Sequence, residues 1–252
     1  MDNWNLRVRA GSVHLGISLL VVLASAALVF GVWYPYPYRE MSGGRSLFIL
    51  VVVVDVVMGP FITLIIFNTA KSKRELHTDL GIVCALQLAA LCYGLWTMHS
   101  ARPIHLVFEY HRLAVVHASD IEPAMLEQAL PELRALPHGG PTLLSLRPFH
   151  SSEELYHSTM AAVAGVSQAA QPALWQPWET ARDDIVRESR PLQALRARYP
   201  SYAADVDLAI DRAGLAVTRL RTLPVLDRDK AWTALIDIET AMPVAFLPLD
   251  SF

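Results

Sequence analysis

Val51–Leu80 reads VVVVDVVMGPFITLIIFNTAKSKRELHTDL, and the rest of the chain arranges itself around this stretch. Its first part is apolar enough to cross a bilayer, yet it holds Asp55 and a Gly59-Pro60 pair; its last part is basic. A carboxylate near the middle of a membrane helix costs about 2.5–3.5 kcal/mol on insertion scales, so it normally has a partner or a task. Pro60 has no N–H and leaves a carbonyl one turn back without its donor, which predicts a kink.

Working outward, the second span is Ser46–Phe67 and the segment Asn68–Asp79, with Lys71, Lys73 and Arg74, follows it. The first span precedes it as Val13–Trp33, uncharged apart from His14 and long enough for the hydrocarbon core. This run is too long for a cleaved signal peptide, and two more spans follow. Residues 1–12 lead into it, and residues 34–45 (YPYPYREMSGGR) connect it to the second span. Trp33, Tyr34, Tyr36 and Tyr38 are types that settle at the headgroup level. The third span is Leu80–Met98, with Gln87 inside it and with Cys84 and Cys92 as its two small apolar thiols. Those cysteines lie roughly 12 Å apart along a helix, beyond disulfide reach.

Basic residues set the orientation. Arg7, Arg9, Lys71, Lys73 and Arg74 fall on one side, and Arg39, Arg45, Arg102 and Arg112 on the other. The denser side is read as cytoplasmic. The N-terminus is then cytoplasmic, and residues 99–252 are periplasmic in a Gram-negative cell. Membrane lipid is the expected surrounding of the spans.

The 53% hydrophobic residues and the positive mean hydropathy come almost wholly from the part before residue 99. The remainder has the signals of a soluble α+β domain with N- and C-terminal β-hairpins. Ile104–Glu109 and Leu113–His117 flank a turn at Tyr110-His111, and Trp232–Ile238 and Val244–Leu249 close the chain. Helices are expected at Glu122–Leu136, Glu153–Ser167, Glu179–Ser189, Pro191–Arg198 and Ala203–Leu220, and a short strand at Thr142–Leu146. A net charge of −3 excludes an electrostatic nucleic-acid binder.

Few residues carry chemistry. Asp55 either hydrogen-bonds within the bundle, to Ser18, Thr63 or Gln87, or meets a polar group of another membrane helix. Gly59 and Pro60 belong to the same candidate partner site. Lys71, Lys73 and Arg74 fix topology or meet cytoplasmic proteins. Trp175 and Trp178, flanked by proline and glutamine, are with Trp232 large apolar groups that either pack in a core or form an exposed partner-binding surface. His99, His105, His111 and His117 recur every six residues but lack ligand spacing, so no metal is expected. Asp79 is the only other acid beside the spans and sits at the far edge from Asp55, against an intramembrane aspartyl pair. GxSxG, P-loop and GxGxxG motifs are absent from the sequence, so neither a cofactor nor an enzymatic activity is expected.

VWYPYPY, DVVMGPFITLIIFN, KSKRELHTDL, QLAALCYG and ARPIHLVFEYHRLAVV, in that order, resemble the type IV pilin accessory proteins of the TfpX/TfpZ family. The resemblance covers roughly Val13–Val116 well and continues loosely to AWTALIDIETAMPVAFLPLD. It implies an inner-membrane, chaperone-like protein that binds a type IV major pilin before assembly and promotes pilus biogenesis, with no catalytic residues to carry over. Two other readings stay open: a membrane regulator that binds the pilus assembly machinery through Lys71–Asp79, and a pilin-modifying enzyme.

Overall fold

The structure is a computed structural model and describes residues 2–67, 71–228 and 230–252. The beginning of the predicted basic segment, Asn68–Ala70, lies outside the described residues. The chain divides into two compact units between Arg102 and Pro103.

Among the described residues, the first unit contains three helices long and apolar enough to cross a membrane, Trp4–Trp33, Gly44–Ile66 and Lys73–Ser100. The first is α1 (Asp2–Leu28), which widens into a π-helical turn at Val29–Trp33. A short α2 (Tyr38–Met41) fills the connection, and Gly43, in the left-handed region at φ +72°, starts the return. The second span is α3 (Gly44–Val52), a π-helical turn at Val53–Met58, and α4 (Gly59–Ile66). The third is α5 (Lys73–Ser100), about two turns longer at its start than Leu80–Met98. Ser72 and Glu75 form a capping box there: the Ser72 hydroxyl accepts from Glu75 N–H and the Glu75 carboxylate from Ser72 N–H.

Two of the connection's three tyrosines pack inward. Tyr34 is fully buried and its hydroxyl donates to the Met98 carbonyl at 3.0 Å. Gly44 makes room for it, since a Cβ there would stand 2.5 Å from the Tyr34 ring. Tyr38 is also buried, and only Tyr36 faces outward. Tyr34 therefore packs in a cluster with Val22, Val29, Phe48 and Met98 that ties the far ends of all three spans together.

The second unit is built on one mixed sheet. β1 (Pro103–Glu109) and β2 (Arg112–His117) turn at Tyr110-His111; β3 (Thr142–Leu146) runs parallel to β1, and β4 (Trp175–Pro177) antiparallel to β3. β6 (Leu220–Asp227) runs parallel to β2 and antiparallel to both β5 (Arg190–Pro191) and β7 (Lys230–Asp237). β8 (Pro243–Leu247) ends the row, giving the order β4-β3-β1-β2-β6-β7-β8. The two terminal pairs are thus parts of a single sheet, joined by the β2–β6 parallel contact. Four helices, α6 (Ser152–Val163), α7 (Arg182–Glu188), α8 (Leu192–Arg198) and α9 (Ala203–Ala213), complete it. One core cluster holds Ile104, Val107, Leu144, Leu146 and Trp175; another holds Leu192, Leu195, Val206, Ile210, Leu220 and Leu235.

Two predicted helices differ. Glu122–Leu136 is a pair of 3₁₀ turns, Pro123–Gln128 and Pro131–Leu133, because Pro131 cannot donate to a helical ladder and would clash with the preceding turn. Ala203–Leu220 stops at Ala213, where Gly214 takes φ +65° and its N–H closes on the Ile210 carbonyl. The chain beyond is β6, a strand the sequence reading missed.

Candidate functional site in the spans

The π-helical turn at Val53–Met58 lies just before Pro60, where the hydrogen-bond ladder lacks a donor. In the i→i−5 register of that turn, the partner of the residue at position 60 is the Asp55 carbonyl. That carbonyl instead accepts Gln87 Nε2–H from α5 at 3.1 Å. Gly59 makes the approach possible, because a Cβ on it would stand 1.8 Å from Gln87 Nε2. A second bond, His14 Nδ1 to Thr63 Oγ1 at 2.6 Å, joins the first span to the second. Asp55, Gly59 and Pro60 thus meet at one node, with Gln87 as the side chain that completes it.

The Asp55 carboxylate itself is unpaired. The residue is only 5% exposed, and among the described residues neither Oδ1 nor Oδ2 has a hydrogen-bond partner; Gln87 Oε1 is likewise buried without one. Of the bundle partners expected for Asp55, Thr63 is taken by His14, and Gln87 binds the carbonyl rather than the carboxylate. The polar contact between the second and third spans here is thus directed to backbone, not to the carboxylate. The carboxylate faces a cavity of about 200 Å³ whose wall includes His14, Ser18, Cys84 and Gln87. Two further grooves, of about 520 and 240 Å³, run between the second and third spans, and one of about 510 Å³ lies beside the first span. Their walls are largely aliphatic.

The basic residues separate. Lys71 pairs with Asp79 at 2.5 Å, while Lys73 and Arg74 are exposed at the start of α5. Asp79 is therefore engaged by a cation at the edge of the third span.

In the second unit, Trp175 and Trp178 are 1% and 2% exposed, and their indole N–H groups donate to the Ala169 and Ala241 carbonyls. Buried on all sides, they are not a surface a partner can touch. Among the exposed apolar side chains of this unit, Tyr156, Met160 and Val163 share one face of α6 at helical spacing. A Glu-Glu start and a Ser cap identify α6 in the sequence, but this stripe was not read from it.

The four evenly spaced histidines go to different surroundings. His99 rests against the Trp33 ring at 5.1 Å. His105 packs edge-on to Trp175, its Nδ1 2.7 Å from Thr142 Oγ1, and burial pushes it down to about 4. His111 is exposed in the hairpin turn, and His117 is buried with its two ring nitrogens 3.3 and 3.5 Å from Asp120 and Asp227. This pairing across the ends of β2 and β6 was not foreseen, since Asp227 lies on the missed strand.

The sequence profile of the family described as fimbrial assembly protein FimB matches residues 2–43, the first span and its aromatic connection. The fimbrial assembly protein of serogroup I of Dichelobacter nodosus is 32% identical over 246 residues, covering 97% of this chain and 95% of the relative. The serogroup E1 protein of the same organism matches at the same identity and coverage. That of serogroups C1 and C2 is 36% identical over 121 residues, 48% of this chain and 92% of the relative. No solved structure matches the chain.

Proposed function

The chain belongs to the fimbrial assembly protein family, and from this we propose that it is a non-catalytic, chaperone-like accessory protein of the TfpX/TfpZ kind. It binds a type IV major pilin in the inner membrane before the pilin is assembled. In this reading the N-terminus and Lys71–Asp79 are cytoplasmic, and the sheet domain is periplasmic. The apolar grooves between the spans receive the pilin's membrane helix, and the exposed face of α6 is available to the pilin head.

The observation that carries the proposal is Asp55. A carboxylate held at mid-span, shielded and without a donor, is unfavourable for the bundle alone. Its retention fits a polar group supplied by another helix. Replacing Asp55 with Asn and with Leu in cells is expected to lower pilin co-purification and steady-state pilin. Unchanged pilin binding and abundance in both variants would remove Asp55 from the mechanism. Normal pilin abundance with lost surface pili would move the partner to the assembly machinery.

A further inference from the structure

We propose that the Asp55 cavity is a binding site for a primary ammonium group brought into the bilayer by a partner helix. This rests on the reading that the spans receive a pilin helix, and it goes further by naming the chemical group that the site recognises.

Three oxygens set the requirement. Asp55 Oδ1, Asp55 Oδ2 and Gln87 Oε1 are all shielded from solvent, and none has a donor among the described residues. Gln87 Nε2 donates to the Asp55 carbonyl and His14 Nδ1 is engaged with Thr63, so neither reaches these three oxygens. They are buried acceptors without a donor, an arrangement that is unfavourable, most of all for a charged group.

The complement is a group rich in donors and free of acceptors. An ammonium has three N–H donors and no acceptor, and its charge offsets the carboxylate where the dielectric is low. A hydroxyl or a backbone amide supplies one donor and brings acceptors of its own. A guanidinium carries five donors, more than the three unpartnered oxygens here. The ammonium can come from a lysine on a crossing helix or from the free amino end of a helix that begins inside the bilayer.

The test uses the full-length protein in phosphatidylcholine nanodiscs and two synthetic apolar helices. One has a mid-helix lysine, and the other a free amino terminus at mid-bilayer depth; each is paired with a twin acetylated at that amine. The wild-type protein is expected to bind at least one free-amine helix about tenfold tighter than its acetylated twin, a difference of about 1.4 kcal/mol. Which of the two is preferred identifies the source of the group. Asp55→Asn, near-isosteric and checked for unchanged helicity, should bind both members of that pair alike while keeping its residual apolar affinity. Equal binding of free and acetylated helices by the wild type, or discrimination that survives in Asp55→Asn, overturns the inference. Failure of pilin to co-purify with the wild type would instead overturn the broader reading, so the two failures are distinguishable.

Discussion

At the scale of single residues, His105 and Glu154 make the second unit sensitive to acid in adjoining windows, and Asp237, lowered chiefly by Arg219, adds to the lower one. His105 is buried beside Trp175, and that burial holds its folded pKa at about 4 against an ordinary value of 6.5. The unfolded chain takes up this proton first, so the contribution of His105 is fully present above pH 6.5 and is lost as pH falls towards 4. It amounts to something on the order of 3 kcal/mol. Glu154 is held at about 2, below its ordinary 4.5, chiefly by Arg147, which grips both carboxylate oxygens, and then by the His150 N–H. Its contribution is present above pH 4.5 and disappears as pH falls through 2. Denaturant unfolding of the full-length protein, followed by near-ultraviolet circular dichroism, should show stability falling in both windows. His105→Phe is expected to reduce the fall only in the upper window, and Glu154→Gln to reduce it only in the lower, where Asp120 and Asp237 still contribute. A variant that flattens the other group's window would refute the assignment.

At the scale of elements, the second span depends on one glycine. Gly59→Ala forces Gln87 away from the Asp55 carbonyl, since the added methyl would occupy the position of Nε2. Hydrogen bonds between membrane helices average about 0.6 kcal/mol, with a maximum near 1.7. The expected loss for Gly59→Ala, with the displaced side chain, is therefore about 1–2 kcal/mol in a reversible unfolding assay in mixed micelles. Gln87→Ala removes both the bond and the clash. The double variant should thus be no less stable than Gln87→Ala alone, and simple additivity would contradict the contact.

The same element shows what a sequence can and cannot reveal. Asp55, Gly59-Pro60 and Gln87 stand out as exceptions within apolar runs, so their importance is visible without coordinates. The choice of carbonyl over carboxylate as the acceptor of Gln87 is a matter of helix rotation and of the π-helical turn, which composition does not encode. The type of Tyr34 does not tell that it packs inward, which follows from the slot that Gly44 opens for its ring. β6 was missed because Leu220 continued an apolar spacing from α9 and Pro224 argues against a strand. Its pairing with β2 begins just beyond that proline, at Leu113 and Val225. Pro131, visible in the sequence, outweighs the helical spacing around it and divides Glu122–Leu136 into two 3₁₀ turns.

At the scale of the whole molecule, the division after Arg102 separates two kinds of stability. The second unit has its own sheet and two core clusters, and the chain's two cysteines, Cys84 and Cys92, both lie in the third span. No disulfide is therefore available to it, and its fold must rest on apolar burial. A domain of about 150 residues buries nearly 70% of its unfolded surface, which is enough for independent folding. Residues 103–252 expressed alone should be soluble and should unfold in a single cooperative transition with the pH profile of the full-length protein. If the spans supply the principal contact with pilin, this fragment should not co-purify with pilin, whereas the full chain should. A fragment that captures pilin as well as the full chain does would transfer the principal contact to the sheet domain and leave the spans as an anchor. A fragment that fails to unfold cooperatively would show that the sheet needs the first unit in order to form.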